Sequence, residues 1–259
     1  MLTAVVAGAV AFVASAASTS APASAPTQLA EQAHARPAAA ATAAPDFSPL
    51  LAMTSALKTT GHDVSLSTQG STMTGSVDPA DDKASAVAKS SGLEIDEIVA
   101  NGNVYIKANL GTDLDTQAGI SPDVWMQLDP SQVQPDNQLL VQPDGTDPVD
   151  MPGIMTGITD LKQTAPQNIE GTIDLTQITG HTLPDPDEVT QAGPAATHVP
   201  FTVRADPSGR IAEFQVYADS FDPALSLDVS YSNYGAQSAI NAPASSIPAP
   251  ATLYSLFND

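Results

Sequence analysis

Ser55-Ala56-Leu57-Lys58 spells S-x-x-K, the nucleophile pattern of serine acylases, and Tyr231-Ser232-Asn233 resembles the Y-x-N element of the same chemistry. That chemistry also needs a K-T-G strand near the C-terminus to bind a substrate carboxylate. No lysine follows Lys162, so this element is absent. Four-residue matches arise by chance in a chain of this size, and Leu57 belongs to an apolar stripe, so the pair reads as coincidence. His34, His62, His181 and His198 are scattered, and none has a histidine or glutamate at ligand spacing. The stretches Asp144-Gly145-Thr146-Asp147-Pro148-Val149-Asp150 and Pro184-Asp185-Pro186-Asp187-Glu188 are rich in oxygen but do not follow the calcium-loop spacing. Turn formation accounts for them. No G-x-S-x-G, G-x-G-x-x-G, P-loop or internal repeat is present. The expectation is a protein without catalytic residues, metal or cofactor.

Composition narrows the class further. In 259 residues there is no cysteine, so disulfides, thiolate metal sites and cysteine nucleophiles are excluded. Eight Lys and Arg against 29 Asp and Glu give a formal charge of −21. Phosphate contacts need clustered basic residues, so nucleic acid is not the partner.

The elements that would position any site begin after an exported-looking start. Residues 1–17 form an uncharged apolar run, too short for a spanning helix and long enough for a signal segment. Ala14-Ser15-Ala16 and Ala23-Ser24-Ala25 fit small-residue cleavage patterns, although no basic residue precedes the run. Residues 18–45 are Ala, Pro, Ser and Thr with only Glu31 and Arg36 charged, and read as a disordered tether. Residues 46–259 then make one domain, which carries the whole negative charge.

Within it, Phe47 to Thr60 reads as a helix, with Ser48 as N-cap, Pro49 at its first position and Gly61 just past its end. Leu50, Met53 and Leu57 form its apolar stripe. Period-two alternation follows in 63–68 and 73–77, with a turn at 78–82. Glu94 to Ala100 and Asn103 to Ala108 flank Asn101-Gly102, the dipeptide favoured in type I′ hairpins. Val124 to Leu128 is another strand, and 130–150 a long loop. Ile154, Met155, Ile158 and Leu161 read as a second short helix, with Gly157 inside it. Ile169, Gly171, Ile173 and Leu175 share a strand face, as do Val199, Phe201 and Val203. Phe214 and Val216, then Leu227 and Val229, alternate with polar residues, which predicts an antiparallel meander with one dry face. Two helices covering a curved sheet are the economical architecture, of α+β class.

This order of elements resembles the actinobacterial LppX/LprAFG-type envelope lipoproteins. The resemblance rests on Asn101-Gly102-Asn103-Val104-Tyr105 and on Val229-Ser230-Tyr231-Ser232-Asn233-Tyr234-Gly235 followed by Ile240-Asn241-Ala242-Pro243, and covers residues 47–246. It implies a half-open antiparallel barrel with helices on its concave side, enclosing a hydrophobic cavity for acyl chains. Members carry lipids or lipoglycans across the cell envelope. The lipobox cysteine of that family is missing here, so covalent anchoring is excluded, leaving secretion or retention by the apolar run.

The expectation is therefore a monomeric, exported, non-enzymatic binder of a lipid or lipoglycan. Its cavity would be lined by Leu50, Met53 and Leu57 from the first helix and Ile154, Met155 and Ile158 from the second. Facing them would stand Ile173, Leu175, Phe201, Val203, Phe214, Val216, Leu227 and Val229. The rival reading is an envelope interaction module with a filled core, which binds a protein partner through its acidic surface.

Overall fold

The computed structural model describes residues 45–133, 148–179 and 186–258. The apolar run 2–17, the tether up to residue 44, His34, His181 and the acidic positions 144–147 and 184–185 lie outside them. Period-two alternation draws the described chain into twelve strands of one open sheet. They are β1 (His62–Thr68), β2 (Ser71–Asp78), β3 (Lys83–Ser90), β4 (Leu93–Ala100), β5 (Asn103–Asn109) and β6 (Met126–Leu128), then β7 (Ile158–Ala165), β8 (Asn168–Ile173), β9 (Val199–Ala205), β10 (Ile211–Val216), β11 (Leu227–Ser232) and β12 (Ile247–Pro248).

Two antiparallel meanders, β1 to β6 and β7 to β11, join where β1 pairs with β11, Leu66 opposite Val229. Among the described residues the one parallel pair is β12 on β6, which places the C-terminal segment on one sheet edge. β7 forms the other edge. The predicted hairpin is present: Asn101 (φ 55°) and Gly102 (φ 71°) both take the left-handed backbone that a type I′ turn requires. The meander of β9, β10 and β11 is also as expected.

Other expectations need correction. The first helix is α1 (Ser48–Thr54), continued by a tighter 3₁₀ turn at Ser55–Lys58. Thr54 and Ser55 bond their hydroxyls back to the Leu50 and Ala52 carbonyls, at 3.1 and 2.8 Å, and this competition disfavours further α-helix. Phe47, not Ser48, is the N-cap residue. Gly61 is not left-handed. Its missing side chain instead makes room for Gln237, which would collide with any Cβ there.

The second helix is only α3 (Met151–Met155), so Ile158 and Leu161 are not helical but belong to β7. The chain turns at Gly157, whose carbonyl accepts from Asp174 N at 2.7 Å. A Cβ at Gly157 would lie 2.6 Å from the Asp174 carbonyl oxygen, so this close approach needs glycine. Pairing of Ile158 with Ile173 then outweighs the helical period of the sequence. Leu175 lies in a 3₁₀ turn (Leu175–Gln177), not a strand. The described residues hold three more helices than the two expected: α2 (Thr112–Ala118), α4 (Pro186–Ala192) and α5 (Ala251–Asn258).

Beyond β11 the chain turns at Asn233 and Gly235 and runs as an arm back toward the far edge. Gly235 N donates to the Gly61 carbonyl at 2.7 Å. The arm ends in α5, where Leu253 and Tyr254 are buried and the Tyr254 hydroxyl accepts from Asp129 N at 2.7 Å.

Candidate functional site

The sheet has one dry face, and cross-strand register divides it into two unlike halves. On the C-terminal half, Leu66, Val229, Phe214, Val203 and Ile169 stand side by side on five successive strands. The Phe201 and Phe214 rings stack 5.6 Å apart, and Gly171 beside Phe201 leaves space for its ring. On the N-terminal half several cross-strand pairs have one small member. Gly75 pairs with Ala86, Met73 with Ala88, Val77 with Ala84 and Ile95 with Ala108. The aromatic pair thickens one half of the layer, while the other intersperses alanines among its larger residues.

Thirteen of the fourteen predicted lining residues are no more than 6% exposed and belong to one hydrophobic cluster. Leu50, Met53 and Leu57 enter it from α1 and its 3₁₀ extension, and Ile154 from α3. Met155 is half-buried at its margin. Ile158 and Ile173 reach the cluster as a cross-strand pair, and Leu175 from its turn. Phe201, Val203, Phe214, Val216, Leu227 and Val229 are strand residues of the dry face. The structure thus brings the set together, with Ile158 arriving from an edge strand.

Sequence reading missed two polar groups on this face. Glu97 stands between Ala86 and Ile106 in register and is 0% exposed. It shares parity with Ile95 and Val99, and that alternation was the signal available. His62 opens β1, also fully buried. Its Nδ1 lies 2.9 Å from the Thr60 carbonyl, which can only accept, so Nδ1 carries the proton. The rings of Tyr231 and Tyr234 lie 5.6 Å from the imidazole.

The serine patterns do not assemble. Ser55 Oγ is committed to the Ala52 carbonyl, and Asn233 Nδ2 donates to Asp63 Oδ2 at 2.8 Å. His198 Nδ1 meets Thr197 Oγ1 at 2.8 Å. Among the described residues no three acidic, histidine or cysteine side chains are grouped to hold a metal, and no helix is long and apolar enough to cross a membrane.

Asp63, on the wet face of β1, anchors the C-terminal arm. It accepts from Ser76 Oγ at 2.6 Å, from Asn233 Nδ2, and from Ser238 N at 2.9 Å and Oγ at 3.3 Å. Burial pushes its pKa up, but the hydrogen bonds from Ser76, Asn233 and Ser238 outweigh that and hold it below the usual carboxylate value.

Two grooves open at strand ends. One, of about 380 Å³, lies at the β3–β4 turn near Lys89, Ser91 and Glu94. The other, of about 330 Å³, borders the dry layer at Val216 and Leu227 and is rimmed by Thr68, Gln215, Tyr217 and Asp228. No protein-family model matches this chain, and no curated relative matches it.

Proposed function

We propose that this chain is an exported, non-enzymatic lipid binder of the LppX/LprAFG type, which takes the acyl chains of a lipid or lipoglycan against the dry face of its sheet. One observation carries the reading: a twelve-stranded sheet with a largely apolar dry face, interrupted by buried Glu97 and His62, whose N-terminal half carries the small residues Ala84, Ala86, Ala88 and Ala108. The short side chains of these alanines, in this reading, leave depth above the strands for a tail. In this reading the sheet is a half-barrel, and α1 and α3 form its inner cover. The lining is buried, so a tail enters by parting that cover from the sheet. Burial of methylenes at about 0.8 kcal/mol each gives a sixteen-carbon tail on the order of ten kcal/mol before ordering costs. The same burial favours the second reading, an envelope module with a filled core that meets a protein partner through its acidic surface.

Organic extraction and mass spectrometry of protein produced in a lipid-rich host separate the two. The lipid reading expects stoichiometric acyl lipid, and loss of that lipid in Met53→Trp. Lipid-free protein, with Met53→Trp destabilised by about 1–3 kcal/mol through overpacking, would leave the filled-core reading alone.

A further inference from the structure

The groove at the ends of β1, β10 and β11 differs chemically from the apolar layer it borders. Val216, Leu227 and Pro223 give it apolar surface, and Asp219 and Asp228 give it two carboxylates. Its lining contains no lysine, arginine or histidine. The Tyr217 ring stands beside it, 40% exposed, one of the few large apolar side chains on the described surface.

The rim is held in place by a directed chain of hydrogen bonds. Tyr217 Oη lies 2.9 Å from Thr202 Oγ1 and donates to Gln215 Oε1 at 2.8 Å. Gln215 Nε2 donates in turn to Asp228 Oδ2 at 2.7 Å. The chain runs toward Asp228, so its end presents a ligand with carboxylate oxygen. Among the described residues nothing donates to Asp228 Oδ1 or to the Asp219 carboxylate. Thr68 Oγ1, in the same groove, is buried with no hydrogen-bond partner.

The fitting ligand has donors, a positive charge and an aliphatic stem. A lysine or arginine side chain has all three: its methylenes lie along apolar surface, its head pairs with carboxylate, and an aromatic face attracts it. An anion would meet two like charges and no cation. The formal charge of −21 extends the attraction beyond the groove. We propose that this groove seats one lysine or arginine side chain of a protein partner. The groove shares Val216 and Leu227 with the expected acyl lining, but Asp219, Asp228 and Tyr217 lie outside that set, so the proposal is tested independently of it.

The test uses the full chain with acetyl-Gly-Arg-Gly-amide and its citrulline counterpart, followed by amide NMR shifts of Gln69, Gln215, Tyr217 and Asp219. The arginine peptide should shift these amides saturably, and the uncharged citrulline peptide should not. Asp219→Asn and Asp228→Asn should each weaken binding about two- to fivefold, and Tyr217→Leu by a similar factor. These side chains are exposed, so the variants should keep the wild-type spectrum elsewhere. Added salt should weaken the arginine peptide. Equal binding of both peptides, a neutral sugar shifting the same amides in place of arginine, or no shift at the highest soluble peptide concentration would each overturn the proposal.

Discussion

Removing the Asp63 carboxylate should loosen the C-terminal arm and cost the domain measurable stability. Two donors from Ser238 and one each from Ser76 and Asn233 converge on it, tying β2 and the arm to β1. Hydrogen bonds to a charged acceptor contribute about 1.5–3 kcal/mol each when buried, but these face solvent on one side. We therefore assign about 2 kcal/mol to the whole cluster, roughly a 30-fold change in the folded-to-unfolded ratio. Asp63→Ala should lower the unfolding free energy by that amount in urea titrations near neutral pH, and should speed hydrogen exchange at the Ser238 amide. The pH dependence has a definite sign. The folded carboxylate titrates below its usual 3.8, so its contribution is present above that value and is lost as the pH falls through the folded pKa. Asp63→Asn carries no such titration, so wild type and Asp63→Asn should converge at low pH and diverge as it rises. Equal stability of Asp63→Ala and wild type near neutrality, or an acid limb unchanged in Asp63→Asn, would refute the assignment of the arm to this carboxylate.

Two further substitutions probe the layer and the edge. Gly171→Ala should destabilise by about 1–3 kcal/mol by thermal or urea unfolding, because the new Cβ meets the Asp160 carbonyl and lies 2.7 Å from the Phe201 ring. Unchanged stability would mean that β7 and Phe201 yield freely there. Tyr254→Phe removes the acceptor for Asp129 N and should cost about 1–2 kcal/mol, with faster exchange at the Asp129 amide. If that amide exchanges at its wild-type rate, α5 is not held by the hydroxyl.

Local signals were legible wherever a residue's own chemistry decides its conformation. Asn101-Gly102 specifies its turn because both residues tolerate positive φ, and strict alternation marked the strands from Val199 to Tyr231. The lining set was legible as a collection of apolar positions, and the structure gathers it into one cluster. β3 was not legible. Lys83-Ala84-Ser85-Ala86-Val87-Ala88-Lys89-Ser90 is built on alanine, which has little strand preference of its own. It becomes a strand because it pairs on both sides, with β2 and β4.

Residue type and spacing by themselves determined the β-rich class, the alternating strand faces, the hairpin and the absence of thiol chemistry. Tertiary structure alone decided that Ile158 lies on an edge strand, that β1 closes onto β11, and that β12 runs parallel to β6. It alone joined Gln215, Tyr217 and Asp228 into one rim. The reason is physical: a strand's alternation is written in its own side chains, whereas its partner is chosen by backbone groups and packing surfaces far along the chain, which no short window of sequence contains.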